Sequence, residues 1–201
     1  MKEKNIFIIR WYGPFSGYED LKDWEFKRKD LFYLYIFQGK RHGKIKYKYY
    51  CGMTFDRKHT VACVANRMHD ADHHIHVFEE ERPETISIWI GTFANLSRPK
   101  ISDVRLCEKM LTSELTNIEL DINEHENRIN KRPPHENVFI INEWFDINKV
   151  DDDGDYYDYE SSCKDIIPNK VPDVMCYYAY DKALYSARKL KFITCLNNSS
   201  K

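Results

Sequence analysis

The sequence is poor in glycine and proline, with seven of each in 201 residues, and its remaining composition, 42% hydrophobic and 31% charged, is that of a soluble globular protein. Long apolar runs are missing. No stretch approaches the roughly 18 consecutive apolar residues of a membrane span, so a membrane partner is not expected. The N-terminus, "MKEKNIFIIRWYGPF", has an apolar run of four residues closed by Arg10 and no small-residue cleavage site, so no secretory signal is expected. No CxxC pair occurs among the six cysteines (51, 63, 107, 163, 176 and 195), which sets aside zinc ribbons and zinc fingers. A chain of this size needs no disulfides to fold, so the cysteines read as reduced thiols of a cytoplasmic protein. Its length allows one substantial core, or one core with a small appendage.

Excess charge of one sign is missing too, because the net formal charge is −1. That balance hides an asymmetry. Between Phe26 and Lys58 stand ten basic residues against Asp30 and Asp56, a net of +8. Between Glu143 and Asp181 stand eleven acids against Lys149, Lys164 and Lys170, a net of −8. A charge run is ordinarily a solvated face, but a basic half beside an acidic half suggests a polyanion site in the first.

Local patterns predict an α+β protein in the order βαββαβαβα, with a small, mostly antiparallel sheet that starts from a β-hairpin and is flanked by helices. "NIFIIR" reads as a strand, "YGPFSG" as a turn, and "YEDLKDWEFKRK" as a short helix. "LFYLYIF" and "IKYKYYCGMT" read as two strands joined by the polar turn "QGKRHGK". "VACVANR" reads as helical, "ETISIWIGTF" as a strand, and "SDVRLCEKMLTSELTNIEL" as an amphipathic helix with Ser102 as its N-cap. After the break "NKRPPHEN", "VFIINEWF" reads as a strand, "DDDGDYYDYESS" as a mobile acidic loop, and "YDKALYSARKLKFI" as a closing helix. No internal repeat is visible.

Tyr33-Leu34-Tyr35 on the first hairpin strand and Tyr50-Cys51-Gly52 on the second resemble the signature of GIY-YIG nucleases, in which a Gly-Ile-Tyr strand precedes a Tyr-Ile-Gly strand. Tyr33 stands where that signature has glycine, and Thr54 stands where the family often has Ser or Thr. Arg67 in "ANRMH" falls where the family needs an arginine on the next helix, and Glu108 in "RLCEKML" where it needs a glutamate on a later one. Asn117, Asn123 and Asn130 compete for a polar position beyond that helix. The resemblance spans about residues 31–130. It makes 1–30 an N-terminal extension and 131–201 a C-terminal extension packed on the same domain, with an acidic loop at 151–162.

The resemblance implies a Mg²⁺-dependent (or Mn²⁺-dependent) endonuclease that hydrolyses phosphodiester bonds in DNA, either as a monomer or as a homodimer. Tyr50 would activate water with Tyr35 as its partner, Arg67 would neutralise phosphoryl charge, and Glu108 would anchor the metal. A phenol with pKa near 10 is a poor base unless a cation or metal-bound water lowers it. Lys46, Lys48 and Lys58 would bind phosphate, and Gly52 would let the strand pass close to the substrate. By strand parity, Tyr50 faces with Lys46 and Lys48, opposite Tyr47 and Tyr49.

In "RMHDADHHIH", His69 and His73, four apart with Asp72 nearby, have the spacing of a metal pair. Histidines in polar stretches more often face solvent. The other functional reading gives His69 or His73 a part in proton transfer or phosphate binding beside Arg67, with His69 preferred. The rival to the enzyme is an inactive GIY-YIG-like module that binds nucleic acid or protein. The missing first glycine and the near-neutral charge both favour that rival.

Overall fold

A computed structural model describes residues 5–55, 63–70, 73–117, 134–180 and 183–187. The elements are β1 (Asn5–Phe15), α1 (Tyr18–Glu25), β2 (Leu34–Gly39), β3 (Lys48–Met53), α2 (Val64–Met68), α3 (Ile75–Glu81), β4 (Ser87–Phe93), α4 (Ile101–Asn117), β5 (Val138–Val150), β6 (Tyr156–Asp158), α5 (Ile167–Lys170), β7 (Val174–Tyr178) and β8 (Ala183–Ala187). They form an α+β fold on one open sheet of order β3-β2-β4-β1-β5-β7-β8, with β6 paired to β5. Among the described residues no helix is long and apolar enough to cross a membrane.

The sheet is larger than the sequence suggested, and it is mixed. Its longest ladder, β1 with β5, is parallel and runs from Asn5↔Val138 to Gly13↔Asp146. β1 lies mid-sheet, antiparallel to β4 on its other side, so all three sequence segments contribute to one sheet. Nor does the chain turn at "YGPFSG": β1 continues to Phe15, with a register shift between Tyr12 and Phe15.

Period-2 alternation gives the sheet two apolar faces, each with its own cluster. Leu34 and Ile36 of β2, with Tyr49 and Cys51 of β3, pack beneath Val104, Cys107, Met110, Leu111 and Leu115 of α4. Tyr35 and Phe37 point the other way, against Val64 and Met68 of α2 and Ile75 and Phe78 of α3. Covered on both faces, all six residues of β2 are buried. The hairpin turn contains Gly43 at φ 70°, a left-handed conformation that glycine adopts without a Cβ clash.

Three further expectations change. α4 starts at Ile101, so Ser102 lies inside its first turn, and the Asp103 carboxylate instead accepts from the Lys100 N–H at 2.8 Å. Its expected last residues, 118–120, lie outside the described residues. The acidic stretch is a structured β5–β6 hairpin: the Asp151 carboxylate accepts from the N–H groups of Asp153 and Asp155, and Gly154 takes φ 90°. Within the expected closing helix, 183–187 are a strand, because β7 offers an open ladder there from Val174↔Ala187 to Tyr178↔Ala183. Residues 188–193 lie outside the description.

Candidate functional site

The β2–β3 hairpin carries the tyrosines on the α2–α3 face. Tyr35 pairs with Gly52 and Phe37 with Tyr50. Tyr49 is buried on the opposite face, where its hydroxyl donates to the Asp165 carbonyl at 2.7 Å, and Tyr47 packs partly buried on that same side. The expected parity of Tyr50 against Tyr47 and Tyr49 therefore holds, although both faces are core. Tyr35 is 1% exposed, and its ring lies nearly parallel to that of Tyr50, with centroids 6.0 Å apart. Gly52 makes this possible. A Cβ at that position would lie 2.9 Å from Tyr35 Cε2 and nearer still to Cζ and the hydroxyl.

His73 completes the cluster from the N-terminal side of α3. Its Nε2 is 3.0 Å from the Tyr35 hydroxyl, while its Nδ1 accepts from the Ile75 N–H at 3.3 Å. Burial, followed by the positive charge of Arg67, lowers its pKa to about 3, so the ring is neutral at pH 7. A neutral imidazole that accepts at Nδ1 must donate at Nε2. His73 therefore donates to Tyr35, leaving the Tyr35 proton to point onward. Hydrogen bonding between the two phenols raises the pKa of Tyr35 and favours the ionised form of Tyr50. Burial is the larger influence on both and raises both, so in the free protein each phenol holds its proton.

Arg67 reaches this cluster from α2. Its positive charge acts on Tyr35, Tyr50 and His73, and its guanidinium also pairs with Asp70. A five-residue helix has little stability of its own. Glu25 at the end of α1 holds it: the buried carboxylate accepts from the N–H groups of Val64 at 2.8 Å and Ala65 at 2.7 Å, with Cys63 Sγ at 3.5 Å. These N–H groups are unpaired donors of a helix N-terminus, which a carboxylate suits.

Glu108 does not join the cluster of Tyr35, Tyr50 and Arg67 on one face as the resemblance would have it: its helix, α4, packs on the opposite face of the sheet, against the edge strand β3. Burial pushes its carboxyl up to about 7, opposed by Arg105 and Lys109, and its charge acts on Tyr50 and Cys51 across that edge. Lys48 opens β3 on the Tyr50 face, and Lys46 is exposed just before it. Lys58 lies outside the described residues. His69 joins another pair: its Nδ1 is 3.2 Å from the Tyr18 hydroxyl and the two rings stack. His69 and His73 thus face different partners, and Asp72 lies outside the description.

Among the described residues no group of three or more His, Cys, Asp or Glu side chains is arranged to hold a metal. A single half-buried carboxylate does fit a Mg²⁺ or Mn²⁺ ion that keeps most of its water, and it does not fit tetrahedral zinc. The residues not anticipated from sequence are Glu25 and the Tyr35-bonded position of His73. Ile75 and Phe78, three apart in "HIHVFEEE", were the available sign of the helix that brings His73 in. No family model, no curated protein and no solved structure matches this chain.

Proposed function

We propose that the chain is a metal-dependent endonuclease of GIY-YIG type that hydrolyses phosphodiester bonds in DNA. The observation that carries this reading is the convergence of Tyr35, Tyr50, His73 and Arg67 on one side of the β2–β3 hairpin, with a directed set of hydrogen-bond donors behind Tyr50. Tyr50 is the base: it first gives its own proton to solvent, helped by the Tyr35 hydroxyl and the Arg67 charge. Its ionised oxygen then takes a proton from water, the hydroxide attacks phosphorus, and the leaving oxygen takes up a proton from solvent as its P–O bond breaks. Tyr35 steadies the ionised phenol through its hydroxyl, and His73 fixes the direction of that hydroxyl. Arg67 and Lys48 neutralise the phosphoryl oxygens. Glu108, at the β3 edge of the sheet, would hold a Mg²⁺ ion, which would supply charge stabilisation to the phosphoryl group. Free thiols at Cys51, Cys63, Cys107, Cys163 and Cys176 suit a reducing, cytoplasmic setting.

A second reading, a nucleic-acid-binding module without activity, is favoured by the burial of Tyr35, which makes the phenol pair serviceable as core. Nicking of supercoiled plasmid with Mg²⁺ separates the two. Wild type nicks, Arg67→Ala is slower by about 10²–10³-fold, the range for losing one charge-stabilising donor, and Glu108→Gln is inactive. Equal nicking by all three proteins means a contaminant and ends the enzyme reading, whereas binding without cleavage supports the second.

A further inference from the structure

A cleft of about 1070 Å³ opens where β1 and β2 finish and β4 begins, and its lining contains none of Tyr35, Tyr50, Arg67, His73 or Glu108. Two features of the lining ask for a ligand. The first is Gln38, which is 3% exposed and whose Oε1 has no hydrogen-bond partner among the described residues. Its neighbour across the β2–β4 ladder, Ser87, already accepts from Trp89 Nε1 at 3.2 Å. A buried acceptor left unpaired carries its full desolvation cost, so its retention is better explained by a donor that arrives with a ligand.

The second feature is Arg28. Its guanidinium lies 3.9 Å from the Trp24 ring centroid and 4.9 Å from that of Tyr156, and it donates to the Tyr156 hydroxyl. Trp24 Nε1 donates to the same oxygen at 3.2 Å. Among the described residues no carboxylate forms an ion pair with Arg28. The acids on the rim do not change this: Asp20 accepts from Ser16, Glu84 pairs with Arg82 at 2.8 Å, and Asp23 is exposed. A planar cation set against two rings, and paired with no carboxylate among the described residues, is available to an anion. Tyr47 and Tyr159 add aromatic lining to the cleft.

We infer that this cleft binds a nucleotide, whose base donates an N–H to Gln38 Oε1 and whose phosphate rests on the Arg28 guanidinium. An amide edge pairs bidentately with adenine N6 and N7, so adenine is the preferred base. Aromatic side chains of the lining supply stacking surface for a base. The nucleotide can come free from solution or as one unit of a single strand, and the recognising chemistry is the same. This inference stands apart from the cleavage reading, since it uses none of the same residues.

Titration calorimetry on the full chain in EDTA, with AMP, GMP, CMP, UMP and an oligo-dA tetranucleotide, tests it. AMP binds tighter than the other mononucleotides, and Gln38→Met and Arg28→Met each weaken binding at least tenfold. Gln38→Met also raises Tm, because it removes the unpaired acceptor, so its loss of affinity is not a loss of fold. Arg67→Ala binds like wild type, which keeps this result separate from failure of the nuclease. A tetranucleotide that outcompetes AMP assigns the site to a strand, and the reverse order assigns it to the free nucleotide. Absence of binding by every probe at millimolar concentration, or wild-type affinity in Gln38→Met, overturns the inference.

Discussion

Tyr35 and Gly52 face each other across the β2–β3 ladder, and the tyrosine ring occupies the space that any side chain at position 52 would need. The glycine of the hairpin motif is thus a packing requirement of the phenol pair, set by the same strand pairing that places Tyr50 beside it.

Gly52→Ala should accordingly displace Tyr35 and uncouple it from both His73 and Tyr50. Overpacking of this kind costs about 1–3 kcal/mol. Urea denaturation reads that loss, and plasmid nicking should fall by a far larger factor than the loss of folded protein. A variant with wild-type nicking would show that the Tyr35 position is irrelevant to the chemistry.

His73 gives the fold an acid limit. Its pKa is about 3 in the folded protein against an ordinary 6.5, so below about pH 6.5 the unfolded chain binds more protons than the folded one. The stability held above that pH is lost progressively as pH falls toward 3. His73→Gln, which retains a donor toward Tyr35, should flatten the dependence of Tm on pH between 6 and 4. His73→Phe should do the same but leave the Tyr35 hydroxyl unsupported, at a cost of about 1–3 kcal/mol at pH 7. An unchanged acid limb in both variants would mean that another group titrates there.

The hairpin was legible in the sequence because alternation, two turn glycines and aromatic strands are local signals, and its strand parity follows from them. The central position of β1 was not, since its parallel pairing with β5 joins residues about 130 positions apart and leaves no local trace. "ALYSA" has no strand character of its own, and only the open edge of β7 makes it a strand. Arg67 was expected near the tyrosines from motif order, but the histidine against Tyr35 is His73 and not the expected His69, a placement that depends on α3 folding back onto β2. That helix was hidden by the histidines leading into it and the glutamates at its end, which make its Ile75 and Phe78 stripe look polar. Glu25 reads as a surface helix residue until the two unpaired N–H groups of α2 are set against it.

That brace can be tested directly. Glu25→Gln keeps the shape but offers one acceptor to two N–H donors, leaving one unmatched at about 1–3 kcal/mol. Hydrogen exchange should quicken in Val64–Met68 while α4 stays protected, and nicking should fall because Arg67 loses its platform. Faster exchange across the whole chain would instead make Glu25 a general stability residue.

Glu108 is where stability and function oppose each other. Burial raises its carboxyl to about 7 from an ordinary value near 4.5, so between these values the folded protein binds more protons than the unfolded chain. Stability is then full below about pH 4.5 and declines as pH rises through about 7, by up to about 3 kcal/mol at 1.36 kcal/mol per pH unit. Glu108→Gln removes the ionisation, so it should match wild type near pH 5 and exceed it in Tm at pH 8. The same variant should lose nicking, because an amide holds a hydrated cation poorly. Mg²⁺ should reverse part of the alkaline loss in wild type and none in the variant, since binding to the folded form alone stabilises it. A wild type whose Tm at pH 8 ignores Mg²⁺ would remove Glu108 as the metal anchor, whatever the nicking assay shows.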